Sequence, residues 1–178
     1  MTAHHTMLQF IATGDHKLMR VVNKWPAPKW VRLSSIAATR AGDGWLWYLM
    51  GLIILMFGGS DRFAAIASAG SAAAVGIGIF ILVKNLSGRK RPCEFEPHCW
   101  ARLLPPDRFS FPSGHTITAF AVAIGLGEFY PTLLPILLFC AVAIAVSRIL
   151  LGMHFLSDVL AGAAMGVGLA FSGHALFT

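Results

Sequence analysis

Charge is what this 178-residue chain has least of: Asp, Glu, Lys and Arg together make up 12% of it, and only eight of those residues are acidic. A soluble globule carries about twice that share. The hydrophobic residues, 56% of the chain, run in long uninterrupted blocks rather than short alternating ones, so burial against lipid explains the composition better than a water-soluble core. A continuous apolar stretch near the start is also missing. Residues 1–30 carry Asp15, His16, Lys17, Arg20 and Lys24, which excludes a signal-peptide core, so the N-terminal segment is expected to stay on the protein.

The apolar blocks are Trp45 to Gly59, Phe63 to Val83, Thr116 to Val146 broken at Glu128 to Pro131, and Val159 to Phe177. With their flanks they predict five spans, several of them short against the roughly 20 residues a bilayer core needs unless the flanking residues continue the same helices. Backbone polar groups in lipid must pair within the chain, so the expected fold is all-α, a multi-pass transmembrane bundle formed by residues 1–178 as one domain. The Ala and Gly of 64–78 and 161–173 suit close helix packing. Within residues 1–40, Met7, Leu8, Ile11, Leu18, Val21 and Val22 fall at helical spacing ahead of "WPAPKW". That pattern reads as an amphipathic interfacial helix with an aromatic anchor, the alternative being a partly ordered tail.

Polar residues concentrate at the predicted helix ends in three clusters: "KNLSGRKRP" (84–92), "PSGH" (112–115) and "SRILLGMHFLSD" (147–158). Threading the chain up and down through five spans brings all three to one membrane face. Any one of these residues alone would read as a snorkelling helix end; three clusters on one face read as a shared polar pocket. Lys84, Arg91 and Arg148 supply positive charge, two of them as guanidinium forks that match phosphate. Ser113 stands as a helix N-cap, Gly114 lets a ligand approach the backbone, and the free N–H groups of that first turn suit an anion, although Pro-Ser-Gly is also a generic helix start. His154 and Asp158, four apart, share a face if helical, so the carboxylate can hold one ring nitrogen protonated while the other attacks phosphorus. His115 is then placed to protonate the departing oxygen. His4, His5 and His174 receive no role. Convergent carboxylates are absent from these clusters apart from Asp158, with Glu94, Glu96 and Asp107 assigned to the connecting loop. Metal-independent chemistry is therefore expected, with no cofactor.

Together, K-x6-RP at Lys84, Arg91 and Pro92, PSGH at 112–115, and SR-x5-H-x3-D at Ser147, Arg148, His154 and Asp158 resemble the type 2 phosphatidic acid phosphatase (PAP2) superfamily, which also includes vanadium-dependent haloperoxidases. The resemblance spans residues 84–158 and is silent on 1–40. It implies that His154 becomes a phosphohistidine, Asp158 orients it and His115 is the general acid. It also implies that Lys84, Arg91, Ser113, Gly114 and Arg148 bind the phosphoryl oxygens. Against six-span members, a first transmembrane helix is missing.

The net charge of +6 fits an anionic substrate or lipid surface, or the ordinary bias of membrane-protein loops. No nucleic-acid partner is expected. An integral protein of a bacterial inner membrane is expected, and two signals conflict over which side the site faces. The resemblance implies the periplasm. Of 14 Lys and Arg, however, Arg62 alone falls on the opposite face, an excess that marks the cytoplasm. Cys93 and Cys99 read as a disulfide, as two free thiols, or with His98 as a zinc site one ligand short. The leading expectation is hydrolysis of phosphatidylglycerol phosphate, phosphatidic acid, undecaprenyl pyrophosphate or a lipid A 1-phosphate. A lipid phosphotransferase, a haloperoxidase and a non-enzymatic transporter are the alternatives.

Overall fold

The computed structural model describes residues 3–95 and 107–178, with side chains from residue 10 onward. The elements are α1 (Ala3–Lys24), α2 (Lys29–Ala41), α3 (Trp45–Phe57), α4 (Arg62–Ser87), the single turn α5 (Pro92–Phe95), α6 (Gly114–Phe129), α7 (Leu134–Leu150) and α8 (Leu156–Phe177). Among the described residues there is no strand, only an isolated bridge between Lys90 and Phe109.

The breaks follow the backbone chemistry. Pro26 and Pro28 cannot donate to a helix ladder, and they separate α1 from α2. The Glu128 to Pro131 break ends α6, where the Tyr130 hydroxyl donates to the Gly58 carbonyl at 2.9 Å and ties two remote turns together. Flanking motif residues do extend the apolar helices: α4 runs through Lys84 to Ser87, α7 includes Ser147 and Arg148, and α6 begins at Gly114. By length and apolarity alone, two helical stretches among the described residues are long enough to cross a membrane, Gly59–Ser87 and Leu156–Phe177. The 13 residues of α3 rise only about 20 Å.

Residues 3–41 form two helices. α1 packs against α7 and α8, and α2 lies along α7 with Ser35 and Thr39 buried. The reason lies in polar contacts that hydrophobic spacing does not reveal: Asp15 and Thr39 both bond to residues of the motif clusters.

The bundle centre is α4, α6 and α8, which meet through small residues. Ala65, Ala69, Ala72, Ala119, Ala121 and Ala123 are buried, while Tyr48, Phe57, Leu86 and Phe139 are largely exposed. This is the distribution of a bundle that turns its bulk to lipid and its small residues to its neighbours. Between α6 and α8 contact is closest at Gly166, where an added Cβ would stand 2.5 Å from the Ile117 carbonyl oxygen and 3.0 Å from the Ala121 nitrogen; at Gly168, two residues on, it would meet nothing within 4 Å. Gly166→Ala must push α8 from α6 and is expected to cost about 1–3 kcal/mol, read as a lowered Tm in detergent. Gly168→Ala leaves Tm unchanged or raises it slightly. Equal shifts in the two variants would refute the close-packing account.

Candidate active site

Gly88 ends α4 with φ +57°, a conformation that favours glycine, and turns the chain back so that "RKRP" follows directly beneath Lys84. Arg91 is 2% exposed, and its fork is fully engaged: Nε donates to the Asp107 carbonyl at 3.0 Å and Nη1 to the Met153 carbonyl at 2.7 Å, while Nη2 pairs with the Asp107 carboxylate. Lys84 pairs with the other oxygen of Asp107 and sits 4.3 Å from the centre of the Phe80 ring. Burial alone would raise the Asp107 pKa, but Lys84 and Arg91 together hold it below the usual carboxylate range. Arg148, buried near the end of α7, donates to the Thr39 hydroxyl at 2.5 Å. Among the described residues no carboxylate pairs with it, and its Nε has no partner.

At the start of α6, Ser113 is fully buried. Its hydroxyl accepts from Thr116 at 2.9 Å, and its N–H donates to the Asp158 carbonyl at 3.2 Å. Gly114 lies against Phe80, 3.0 Å from where a Cβ would be. His115 Nε2 stands 2.8 Å from Asp43 Oδ1, an acid carried by the turn between α2 and α3.

His154 departs from the sequence expectation in two ways. It lies in the turn before α8 rather than on a helix, and its Nδ1 is 2.6 Å from the Ser110 carbonyl but 3.8 Å from Asp158 Oδ2. Asp158 is committed elsewhere, since Oδ2 accepts the Phe155 N–H at 2.8 Å and so caps α8, and Oδ1 accepts from Arg89 at 2.6 Å. The tautomer then follows from its neighbours. A carbonyl on Nδ1 requires N–H there, and Arg91 Nη1, which can only donate, stands 3.2 Å from Nε2, leaving the Nε2 lone pair facing the guanidinium. Burial pushes the His154 pKa down to about 4, with the Arg148 and Arg91 charges adding to it against the pull of Asp158. The ring is a neutral imidazole.

The three clusters meet around a cavity of about 420 Å³ lined by Arg91, Asp107, Gly114, His115, Arg148 and His154 together with Gly42, Asp43, Gly44 and Tyr48. Lys84 reaches it through Asp107. An apolar groove of about 460 Å³ between α3, α4 and α6 continues from it, sharing Gly44, Tyr48, Ile77 and Thr118. Sequence reasoning missed Asp107, Asp43, Thr39, Arg89 and Asp15. The signal available was scarcity: half of the eight acids in the chain, Asp15, Asp43, Asp107 and Asp158, turn out to serve these clusters. Cys99, His98, Trp100, Leu103 and Leu104 lie outside the described residues.

A model of the PAP2 superfamily matches residues 63–178, and the chain belongs to that family. It is 39% identical over 98 residues to decaprenylphosphoryl-5-phosphoribose phosphatase of Mycobacterium tuberculosis, covering 55% of this chain and 53% of that protein. It is 29% identical over 164 residues to lipid A 1-phosphatase of Rhizobium johnstonii, covering 81% and 66%. The chain thus spans about half to two thirds of the length of these curated relatives. The fold is similar to the PAP2 type phosphatidylglycerolphosphate phosphatase of Bacillus subtilis (TM-score 0.71, 22% identity, 93% of this chain and 85% of that one). It is also similar to Aquifex aeolicus LpxE (TM-score 0.72, 24% identity, 88% and 92%).

The depressed pKa of His154 carries a sign for stability. The unfolded state takes up a proton near pH 6.5 and the folded state only near pH 4. Stability therefore falls as pH drops from about 6.5 to 4 and levels off below, by on the order of 3 kcal/mol. His154→Gln is expected to flatten this part of a Tm-against-pH curve, and a curve of unchanged slope would contradict the buried neutral ring.

Proposed function

We propose that this protein is an integral membrane phosphatase that removes the terminal phosphate of a lipid phosphate or pyrophosphate through a phosphohistidine intermediate, without a metal. The observation that carries the reading is the neutral, buried His154 with its Nε2 lone pair aimed at the Arg91 fork, beside a cavity where Lys84, Arg91 and Arg148 have Asp107 to share and Asp43 is paired with His115. With Asp43 balanced by a protonated His115, three cations against Asp107 leave two positive charges, which match a phosphate dianion. Substrate phosphoryl oxygens displace Asp107 from Lys84 and Arg91 and take the free Arg148 Nε. Ser113, Gly114 and the first-turn amides of α6 complete the cradle. Nε2 of His154 then attacks phosphorus, forming the P–N bond as the P–O bond to the lipid breaks. His115 gives its proton to the departing oxygen. Water next attacks the phosphorus, surrendering a proton to His115, and the P–N bond breaks to release phosphate. Donors fixed in advance stabilise the charge that develops on the phosphoryl oxygens.

Five helices, α3, α4, α6, α7 and α8, form the spans in this reading, and the apolar groove beside Tyr48 and Thr118 accepts the lipid chain from the side. Metal-free chemistry is supported by the donor set: Asp107 and Asp158 each pair with cations and Asp43 is bonded to His115, so none of these three carboxylates, the ones that the described residues bring to the motif clusters at the cavity, is left free to hold a divalent ion. The named relatives are a decaprenylphosphoryl-5-phosphoribose phosphatase and a lipid A 1-phosphatase, and the phosphatidylglycerolphosphate phosphatase has a similar fold. Among these substrates the groove favours none. The family resemblance implies a periplasmic site, and the basic excess at the site face favours a cytoplasmic one.

Phosphate release from a panel of pure lipid phosphates in detergent tests the reading. His154→Ala should abolish release with elution volume and Tm close to wild type. Activity should survive EDTA and be inhibited by orthovanadate, whose trigonal bipyramidal adduct on Nε2 mimics the transition state. Retained turnover in His154→Ala, or loss of turnover in chelator, would overturn the mechanism.

A further inference from the structure

One charged cluster is built around Asp158 by three residues, Arg89, Ser157 and Asp15, that stand at none of the family's signature positions. Arg89 Nη1 donates to Asp158 Oδ1 at 2.6 Å and to the Ser157 hydroxyl at 2.7 Å, and Nη2 donates to Asp15 Oδ2 at 2.7 Å. Its guanidinium rests 4.3 Å from the centre of the Phe155 ring. Asp15, halfway along α1 and 5% exposed, also accepts the Ser157 N–H at 3.1 Å and the Ser157 hydroxyl at 2.5 Å. Asp15 thereby clamps both Arg89 and the first turn of α8, the turn that carries Asp158.

We propose that Arg89, itself held by Asp15, is a positioning residue that sets the place and effective charge of Asp158 beneath His154, making α1 a working part of the phosphatase site although it lies outside the region matched by the family model. The inference rests on the phosphatase reading above. Its physics is charge balance in a dry environment. Asp15 and Asp158 together carry two negative charges and Arg89 one positive, so one net negative charge faces the imidazole. That charge is needed when attack on phosphorus makes the ring cationic. If Asp15 were neutral, Arg89 would be left to Asp158 alone and would cancel the charge meant for His154. Because Oδ2 stands 3.8 Å from Nδ1, Asp158 acts here through its field, and the field depends on what else the carboxylate touches.

The test uses the full chain in detergent micelles, with phosphate release from phosphatidic acid, phosphatidylglycerol phosphate and undecaprenyl pyrophosphate. Asp15→Asn is expected to lower kcat roughly ten- to hundredfold with KM within about twofold, because the cations that bind phosphate are untouched. On an Asp158→Asn background the same change should cost nothing further, since its effect passes through that carboxylate. A purely structural role for α1 would cost the same factor in both backgrounds and would lower Tm. Arg89→Lys keeps the charge but cannot bridge both acids, and it should lower kcat comparably with an unchanged elution volume. Unaltered kcat in Asp15→Asn or in Arg89→Lys, or a loss that repeats in full on Asp158→Asn, overturns the inference while leaving an active wild type and the phosphatase reading intact. A wild type that releases no phosphate from any of the three lipids overturns that reading, and the inference with it.

Discussion

Three cations, Lys84, Arg91 and Arg148, are buried side by side at one end of an apolar bundle, and their mutual repulsion is the constraint around which the rest is arranged. Like charges brought together in a poorly solvated place are tolerated only where acceptors compensate them. Lys84 and Arg91 share Asp107, Arg91 spends its remaining donors on backbone carbonyls, and Arg148 takes the Thr39 hydroxyl. The compensation is incomplete. The residual positive charge, with one guanidinium nitrogen unsatisfied, is the feature on which the proposed affinity for an anionic headgroup rests.

The same field governs His154. Full burial and two neighbouring guanidinium groups disfavour a proton on Nε2, and the Ser110 carbonyl favours one on Nδ1. An imidazole in water exchanges between tautomers and charge states near neutral pH; this one is confined to a single form with its lone pair directed at the cationic pocket. The orientation that sequence spacing assigned to Asp158 is supplied at short range by a backbone carbonyl, because the carboxylate is occupied in capping α8 and pairing with Arg89. Asp158 is left to act through its charge, a role that tolerates 3.8 Å where a hydrogen bond would not.

Much of this was legible in the sequence for a definite reason. Helix ends in an apolar chain are where polar residues can exist at all, so the clusters at 84–92, 112–115 and 147–158 marked both the breaks and the chemistry, and alternating helix direction forced them to one face. The small residues of α4 and α8 announced close packing. What stayed hidden was every contact made by a single residue in an unpatterned stretch. Asp43 stands in a Gly-Asp-Gly turn, Asp107 in a loop and Thr39 on a helix of mixed composition. None has a periodic partner, and their importance appears only when the fold sets them beside His115, Arg91 and Arg148.

The matched family region begins at residue 63, yet Asp15, Thr39 and Asp43 each reach past it to a motif residue or its immediate neighbour. α4, α6, α7, α8 and the turns that join them carry the motif residues, and their interlocking glycines and alanines hold that geometry. α1, α2 and the turn after them carry the groups that, in the reading proposed above, tune charge around it. Small residues at the core interfaces leave little room to adjust a side chain without separating helices. Adjustments to field and proton affinity are therefore less costly from outside, through elements that touch the motif residues at single polar contacts.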